Sequence, residues 1–434
     1  MPTRREFSKC LLGTGAALWS SGSLSPSNRP LLASDLRVNQ SYDLLIKGGT
    51  VIDPARNLHT QLDVAVKDGK IAGLSVNIPP NGFKKIISAK GKLVTPGLID
   101  IHVHVYEGVT ESGLNADRSC LAHGVTTAVD AGSAGYPSIS GFRKYIIDSS
   151  NTRLFALVDI GALGTLVGVK DTMKNLEWVN PQLTAKAANK NKPSVVGIKA
   201  RLSKDIAGTL DLEGLKRARE AAEDSNLPMM LHIGDTYHPL KDILGVMRPG
   251  DIITHCFTPR PHGIVDQNGK VLPEVWEARQ RGILFDVGHG TFHFSFDLAE
   301  ECIRQGFLPD TISSDLAGRN VNGPVFDLTT VLSKFLLLGL TVDKVIELAT
   351  IRPAHSFKFC VPLGTLEPGS PADISILELK TGTFVFTDCA GKKRNGSHKL
   401  VGTASIRDGK LFEPSGEFGR RVNKLRANTT SCGE

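Results

Sequence analysis

Six residues of this chain have side chains able to hold a metal ion or move a proton, and each closes an apolar run. Pro96 to His104 reads PGLIDIHVH, a strand-like stretch ending in two histidines one residue apart. Residues i and i+2 of a strand share a face, so His102 and His104 project two imidazoles into one space, which suits a divalent cation. Two ordinary histidines in an apolar strand would read the same locally, so the rest of the chain has to decide. Lys199 in VVGIKAR, His232 in PMMLHIGD, His255 in DIITHCF and Asp315 in TISSDLAG end runs of the same kind. Taken singly, each has a duller reading as a core histidine or a helix-capping aspartate. Six in register are hard to explain that way.

The elements that must position them follow from periodicity. Strands are expected near 98–104, 125–130, 153–159, 195–200, 228–233, 251–256, 282–287 and 310–315. Between them, segments such as DLEGLKRAREAAEDS place Leu212, Leu215, Ala218 and Ala222 at helical spacing, and VWEARQRG and FDLAEECIRQG read similarly. Eight β/α units about 30 residues apart predict a parallel (β/α)8 barrel over residues 96–357, an α/β TIM barrel with its active site at the C-terminal strand ends. The candidate ligands fall on strand ends 1, 4, 5, 6 and 8 of that series.

Two flanks have a different texture. From Tyr42 to Leu93 short alternating strands are punctuated by Asp-Gly and Gly-Gly pairs, which mark hairpins. The texture returns after Val361 in GTLEPGSPADISILEL, GTFVFTD and LVGTASIRDGKLF. Residues 35–95 and 358–418 are therefore expected to join as one small β-sandwich, leaving 419–434 as a flexible tail.

Residues 1–34 form a separate object. TRREFSK, a short apolar stretch from Cys10 to Trp19 and a Ser/Pro/Asn-rich run resemble a bacterial twin-arginine export signal. That predicts passage through the twin-arginine translocase and a periplasmic or otherwise exported protein. The apolar stretch is too short to span a bilayer, so no membrane insertion is expected once the signal is removed. Arg4, Arg5, Lys9 and Arg29 against Glu6 account for about +3 of the net +7, and no Lys/Arg block elsewhere suggests a nucleic-acid partner. Seven cysteines, one of them in the leader, show no CxxC pairing.

With PGLID-HVH, the strand-end set and GTLEPGSPAD in place, the chain resembles the amidohydrolase superfamily of metal-dependent hydrolases over about residues 42 to 415. The resemblance implies that His102, His104 and Asp315 hold one divalent ion and His232 and His255 a second. It implies that Lys199 bridges the two as a CO2-derived carbamate. The chemistry is consistent: burial among positive charges lowers a lysine pKa, and the free amine adds CO2 to become an anionic two-oxygen ligand. The ions would lower the pKa of a bridging water, and Asp315 would take its proton and pass it to the leaving group. Imidazole and carboxylate donors suit Zn2+ first, with manganese, iron or cobalt as alternatives.

Substrate contacts are less well specified. Arg201, two past Lys199, could clamp a carboxylate through its planar fork or make a structural ion pair. His289 in DVGHG could hydrogen-bond substrate or belong to a surface loop, and Tyr106 could line the pocket. Cys256 reads as barrel packing, and His123, His238 and His293 as structural or surface histidines. The segment 161–193 reads as a lid over the mouth or a plain surface excursion.

Dihydroorotases carry an arginine two residues after the second histidine, and Tyr106 stands there instead. GVTTAVDAGSAG, VVGIKARLS, FDVGHGTFHFSF and GPVFDLTTVLSKFLLLG resemble the dihydroorotase-like deacetylase subgroup. The resemblance implies hydrolysis of an amide or ester bond in a small carboxylate-bearing substrate such as an N-acyl amino acid or O-acetyl hydroxy acid. A dihydroorotase or other cyclic amidohydrolase, a mononuclear deaminase and a non-catalytic homologue are the alternatives. Association into a homo-oligomer is also expected.

Overall fold

The computed structural model describes residues 41–414. The leader and its twin-arginine motif lie outside the described residues, as does the tail 419–434. No helix among the described residues is long and apolar enough to cross a membrane.

The N-terminal flank supplies β1 (Tyr42–Asp53), β2 (Leu58–Lys67), β3 (Lys70–Ser75), β4 (Phe83–Ser88) and β5 (Leu93–Pro96). The barrel follows with β6 (Leu98–Val103), β7 (Val125–Asp130), β8 (Arg153–Asp159), β9 (Val195–Arg201), β10 (Met229–His232), β11 (Ile252–Thr254) and β12 (Leu284–Phe285). The C-terminal flank adds β13 (Ile374–Thr387), β14 (Lys393–Arg407) and β15 (Lys410–Phe412). Both flanks enter one eight-stranded sheet, ordered β15-β14-β13-β5-β1-β2-β3 with β4 also on β1, and share one apolar core that includes Ile46, Val64, Ile374 and Ile406.

The Asp-Gly pairs are hairpin turns as read: Asp68-Gly69 and Asp408-Gly409 take positive φ at both positions, which matches the right-handed strand twist. The Gly-Gly expectation is corrected. Gly48 and Gly49 lie inside β1 at a bulge, where the strand changes partner from β4 to β5. Gly48 adopts φ +70°, and a side chain on Gly49 would collide with Val94, so only glycines let β1 turn there.

In the barrel, β6 to β12 form one all-parallel sheet in sequence order. The expected eighth strand is not a regular strand. Segment 311–316 instead makes single parallel bridges on both edges, Thr311 to Asp286 and Leu316 to Val103, and so joins β12 to β6. Its backbone is diverted to other work: Ser314 N donates to Asp100, and Asp315 sits at φ +49°. The three helical segments read from the sequence are the helices Asp211–Ser225, Pro273–Gln280 and Phe296–Arg304; further helices at Pro181–Lys190, inside the segment read as a lid or surface excursion, and Leu328–Leu337 were not expected. Inside the barrel each strand changes character along one face. Leu157, Met230 and Ile252 belong to an apolar cluster closed from beneath by Phe357 and Leu363, and two residues further on stand Asp159, His232 and Thr254.

Candidate metal centre

Those polar strand ends meet in one buried group. Asp315 Oδ1 lies 3.3 Å from His102 Nε2 and 3.2 Å from His104 Nε2. His255 Nε2 is 3.0 Å from His232 Nδ1. The rings of His102 and His255 are 5.1 Å apart, which joins the two halves. Ligand atoms of His102, His255 and Asp315 all fall within 4.8 Å of one another, as do those of His232, His255 and His293.

Hydrogen bonds behind the rings set which nitrogen faces inward. His102 Nδ1 lies 2.9 Å from Thr254 Oγ1, which in turn donates to Asp286 at 2.8 Å, so Nε2 is left for the centre. Asp286 is held by the hydroxyls of Thr311 and Ser313 as well. His104 Nδ1 lies 2.9 Å from Ser133 Oγ, and His255 Nδ1 donates to the Gly288 carbonyl at 2.6 Å. Such outer partners orient imidazole ligands and raise their basicity.

His255 follows Thr254, whose side chain already faces inward, so on a regular strand it would face outward. The strand stops first: His255 takes φ +68°, and this left-handed turn brings the ring inside. Asp315 is turned the same way. Strained backbone at both positions is stabilised by the surrounding contacts. Glycine wraps the pocket closely. A side chain on Gly288 would strike Thr254 and His255, and one on Gly290 would strike the Asp315 carboxylate.

The electrostatics suit a cation. Burial, with Lys199 nearby, keeps His102 well below the usual histidine range, and burial does the same to His232 and His255. Their lone pairs are therefore available at neutral pH. Burial alone would raise Asp315, but the imidazoles of His102 and His104 hold its carboxyl well below the carboxylate range. Lys199 is fully buried, its Nζ has no hydrogen-bond partner, and burial with Arg201 alongside pulls it down to about 7. A buried amine without a partner, flanked by imidazoles and a carboxylate, is a donor set whose chemistry fits divalent cations.

The remaining candidates are placed differently. Arg201 is buried in an ion pair with Asp159, and its Nη2 donates to the carbonyls of Ala131 at 3.0 Å and Gly132 at 3.1 Å. This is the ion-pair alternative of the sequence reading. Tyr106 leaves the pocket: its ring packs on Phe142 at 4.6 Å and its hydroxyl reaches the Ser138 carbonyl at 3.4 Å. His289 is no surface residue. It is buried, stacks on Phe294, and its Nε2 accepts from Lys334 at 2.7 Å. Cys256 is packed in the core as read, His123 pairs with Asp327, and His238 with Asp211.

His293, read as a structural or surface histidine, is not at the surface. It is buried and stacks on His255 at 4.1 Å, with its edge toward His232 at 4.7 Å. Its place in HGTFHFSF, four residues past His289, was the available signal. Lys334 was missed too, because it lies mid-helix in an apolar run with nothing local to mark it. Segment 161–193 folds back on the end of β8, with Ala162 N bonded to the Trp178 carbonyl and Thr165 N to that of Ser133.

Likeness to known proteins gives the family. The sequence profile of the amidohydrolase family matches residues 93–246 and 296–405. A deacetylase from Enterococcus faecalis is 34% identical over 375 residues, covering 86% of this chain and 99% of its own. A crystal structure described as an adenine deaminase superposes with a TM-score of 0.80 at 33% identity, covering 86% of this chain and 100% of that one. One described as a dihydroorotase superposes with a TM-score of 0.79 at 28% identity, covering 85% and 97%.

Proposed function

The chain belongs to the amidohydrolase family and is a metal-dependent hydrolase, and from that premise we propose that it is a binuclear deacylase acting on a small carboxylate-bearing substrate. An N-acyl amino acid or an O-acetyl hydroxy acid is the class intended. The observation that carries the binuclear reading is the buried, unpartnered Nζ of Lys199 beside the histidine and aspartate cluster. The likeness to a deacetylase along nearly the whole of that relative supports the choice of bond.

In this reading His102, His104 and Asp315 hold one divalent ion, and His232 and His255 the other. Lys199 would complete the donor set as a carbamate: its free amine would add to CO2, the N–C bond forming as one C=O π bond opens and the amine loses a proton, leaving an anionic oxygen donor. When bound, the ions supply Lewis acidity toward the scissile carbonyl and an acidified water. Asp315 would take the proton of the attacking water at its carboxylate and hand it to the departing nitrogen or oxygen. Gly288 and Gly290 let the backbone pass close against His255 and Asp315. Asp286, through the Thr254 hydroxyl, keeps His102 in the required tautomer, and Asp130 accepts the backbone N–H of Ser133, whose hydroxyl stands against His104 Nδ1. A mononuclear deaminase would leave the Lys199 amine without a role, and a non-catalytic homologue would have no need of the whole donor set.

The test is hydrolysis by zinc-loaded protein across N-acyl-D- and L-amino acids, O-acetyl hydroxy acids, adenine and dihydroorotate, with Asp315→Asn as the blank. Turnover of an acylated acid that the blank lacks is expected. Turnover of dihydroorotate or adenine alone overturns the deacylase reading, and silence throughout favours a binding protein. Zn2+ as the resident ion is read from metal analysis of the same preparation. We also propose export by the twin-arginine route, tested by fusing residues 1–34 to a folded reporter and changing Arg4 and Arg5 to lysine.

A further inference from the structure

The segment 286–295, between β12 and the helix Phe296–Arg304, carries a third imidazole to the side of the centre where His232 and His255 stand. It is pinned just past His293. Phe294 is fully buried, its carbonyl accepts from Cys389 N at 3.0 Å, and Ser295 N donates to the Phe257 carbonyl at 3.2 Å. The buried ring of His293 consequently lies nearly parallel to that of His255 at 4.1 Å and nearly perpendicular to that of His232 at 4.7 Å.

Contacts on two sides of the ring fix which nitrogen faces inward. Thr258 Oγ1 lies 3.2 Å from Nδ1, and Thr258 is itself fastened to His255, whose carbonyl accepts from its backbone N–H at 3.0 Å. On the opposite side, a side chain on Gly290 would strike the Asp315 carboxylate and stand 3.5 Å from His293 Cδ2, the carbon next to Nε2. With Nδ1–H donating to the threonine hydroxyl, Nε2 presents its lone pair to the group in which the ligand atoms of His232, His255 and His293 lie within 4.8 Å of one another. His102 and His104 are held in the same manner, each with Nδ1 at 2.9 Å from a hydroxyl, Thr254 for one and Ser133 for the other. A hydroxyl behind the ring and a free nitrogen in front is the arrangement of an oriented metal ligand.

We propose that His293 is a third imidazole ligand, holding one divalent ion together with His232 and His255. The proposal rests on the binuclear reading for the identity of that ion and adds a donor to it. It also makes the two positions chemically unequal. Asp315 gives the first a carboxylate beside its two imidazoles, whereas three imidazoles at the second favour zinc over manganese there.

The experiment locates zinc directly, by anomalous diffraction at the zinc edge from crystals of the zinc-loaded wild-type protein. A peak about 2.0–2.1 Å from Nε2 of His293, shared with His232 and His255, is expected. In solution, competition against a chromogenic chelator should show His293→Gln holding one ion more than about a hundred-fold more weakly, since removing a partner that merely stands behind a ligand already costs about 10–100-fold. Thr258→Val keeps the ring, removes the hydroxyl behind it and should weaken the same ion by about that smaller factor. A peak at His232 and His255 with His293 Nε2 more than about 3 Å away, or wild-type zinc affinity in His293→Gln, overturns the proposal and leaves the binuclear reading standing. One peak at the three histidines and none at His102, His104 and Asp315 supports the proposal while overturning the binuclear reading. No zinc at His232 and His255 overturns both.

Discussion

The Lys334 ammonium stands 2.7 Å from His289 Nε2 and ties the loop after β12 to the outer flank of the molecule. The same Nζ donates to the carbonyls of Pro324 at 2.9 Å and Thr387 at 2.7 Å, so three acceptors meet three N–H groups in the core. His289 in turn lies between Gly288, whose carbonyl accepts from His255, and Gly290, which packs against the Asp315 carboxylate. Lys334→Met leaves all three acceptors unpaired, and a loss of about 3 kcal/mol is expected in urea unfolding. A change below about 1 kcal/mol would show that the network relaxes without it.

The same lysine imposes a pH dependence. Burial draws Lys334 down to about 7, whereas an unfolded lysine keeps its proton to about 10.4. Between those values the unfolded chain binds more protons, so this group makes stability rise with pH across the window, by up to about 1.4 kcal/mol per pH unit. Below pH 7 both states are protonated and the contribution is flat. Unfolding followed from pH 7 to 9 should show a shallower rise in Lys334→Met than in wild type, and parallel curves would contradict the assignment.

Gly290→Ala is expected to lower kcat/KM by about a hundredfold or more. The position has φ +55°, and the added methyl meets the Asp315 carboxylate. Gly245→Ala, in the helix Leu240–Val246 with open space around it, is the control and should be about 0.5–1 kcal/mol more stable with full activity. Wild-type turnover in Gly290→Ala would mean that Asp315 is free to move.

Removing metal with a chelator should abolish hydrolysis, and a divalent ion should restore it. Lys199→Ala should bind fewer ions than the expected total of about two per chain, because the anionic bridge is lost. Equal metal content in the two proteins, measured by elemental analysis, would remove Lys199 from the ligand set.

Tyr106→Phe should leave turnover unchanged, since its hydroxyl reaches only the Ser138 carbonyl. Arg201→Met should instead cost about 3–5 kcal/mol of stability by leaving Asp159 buried without its partner. A stable Arg201→Met with lost substrate binding, seen as a raised KM, would restore Arg201 as a substrate contact.

Much of the frame was legible because it depends on local spacing. The seven regular barrel strands fall within two or three residues of their expected ends, and the Asp-Gly turns lie where they were read. The candidate ligands His102, His104, Lys199 and His232 follow from alternation along strands, whereas His255 and Asp315 reach the centre through left-handed backbone that alternation does not foresee. Gly48-Gly49 misled because glycine permits both a turn and a bulge, and the choice depends on which strands lie alongside. The eighth barrel position misled for a similar reason: TISSDLAG has strand character, but its polar side chains and backbone bond to Asp100 and Asp286.

The sequence by itself determined the barrel, the flanking β structure and the set of side chains able to bind metal, since hydrophobic period and residue type are carried within short windows. Only the tertiary structure decided how those side chains are used. It brought His293 against His255, spent Arg201 on Asp159, turned Tyr106 toward Phe142 and gave Lys334 its three acceptors. Each of these depends on partners far apart in the chain, and barrel closure with the packing of loops and flanks around it sets their separation.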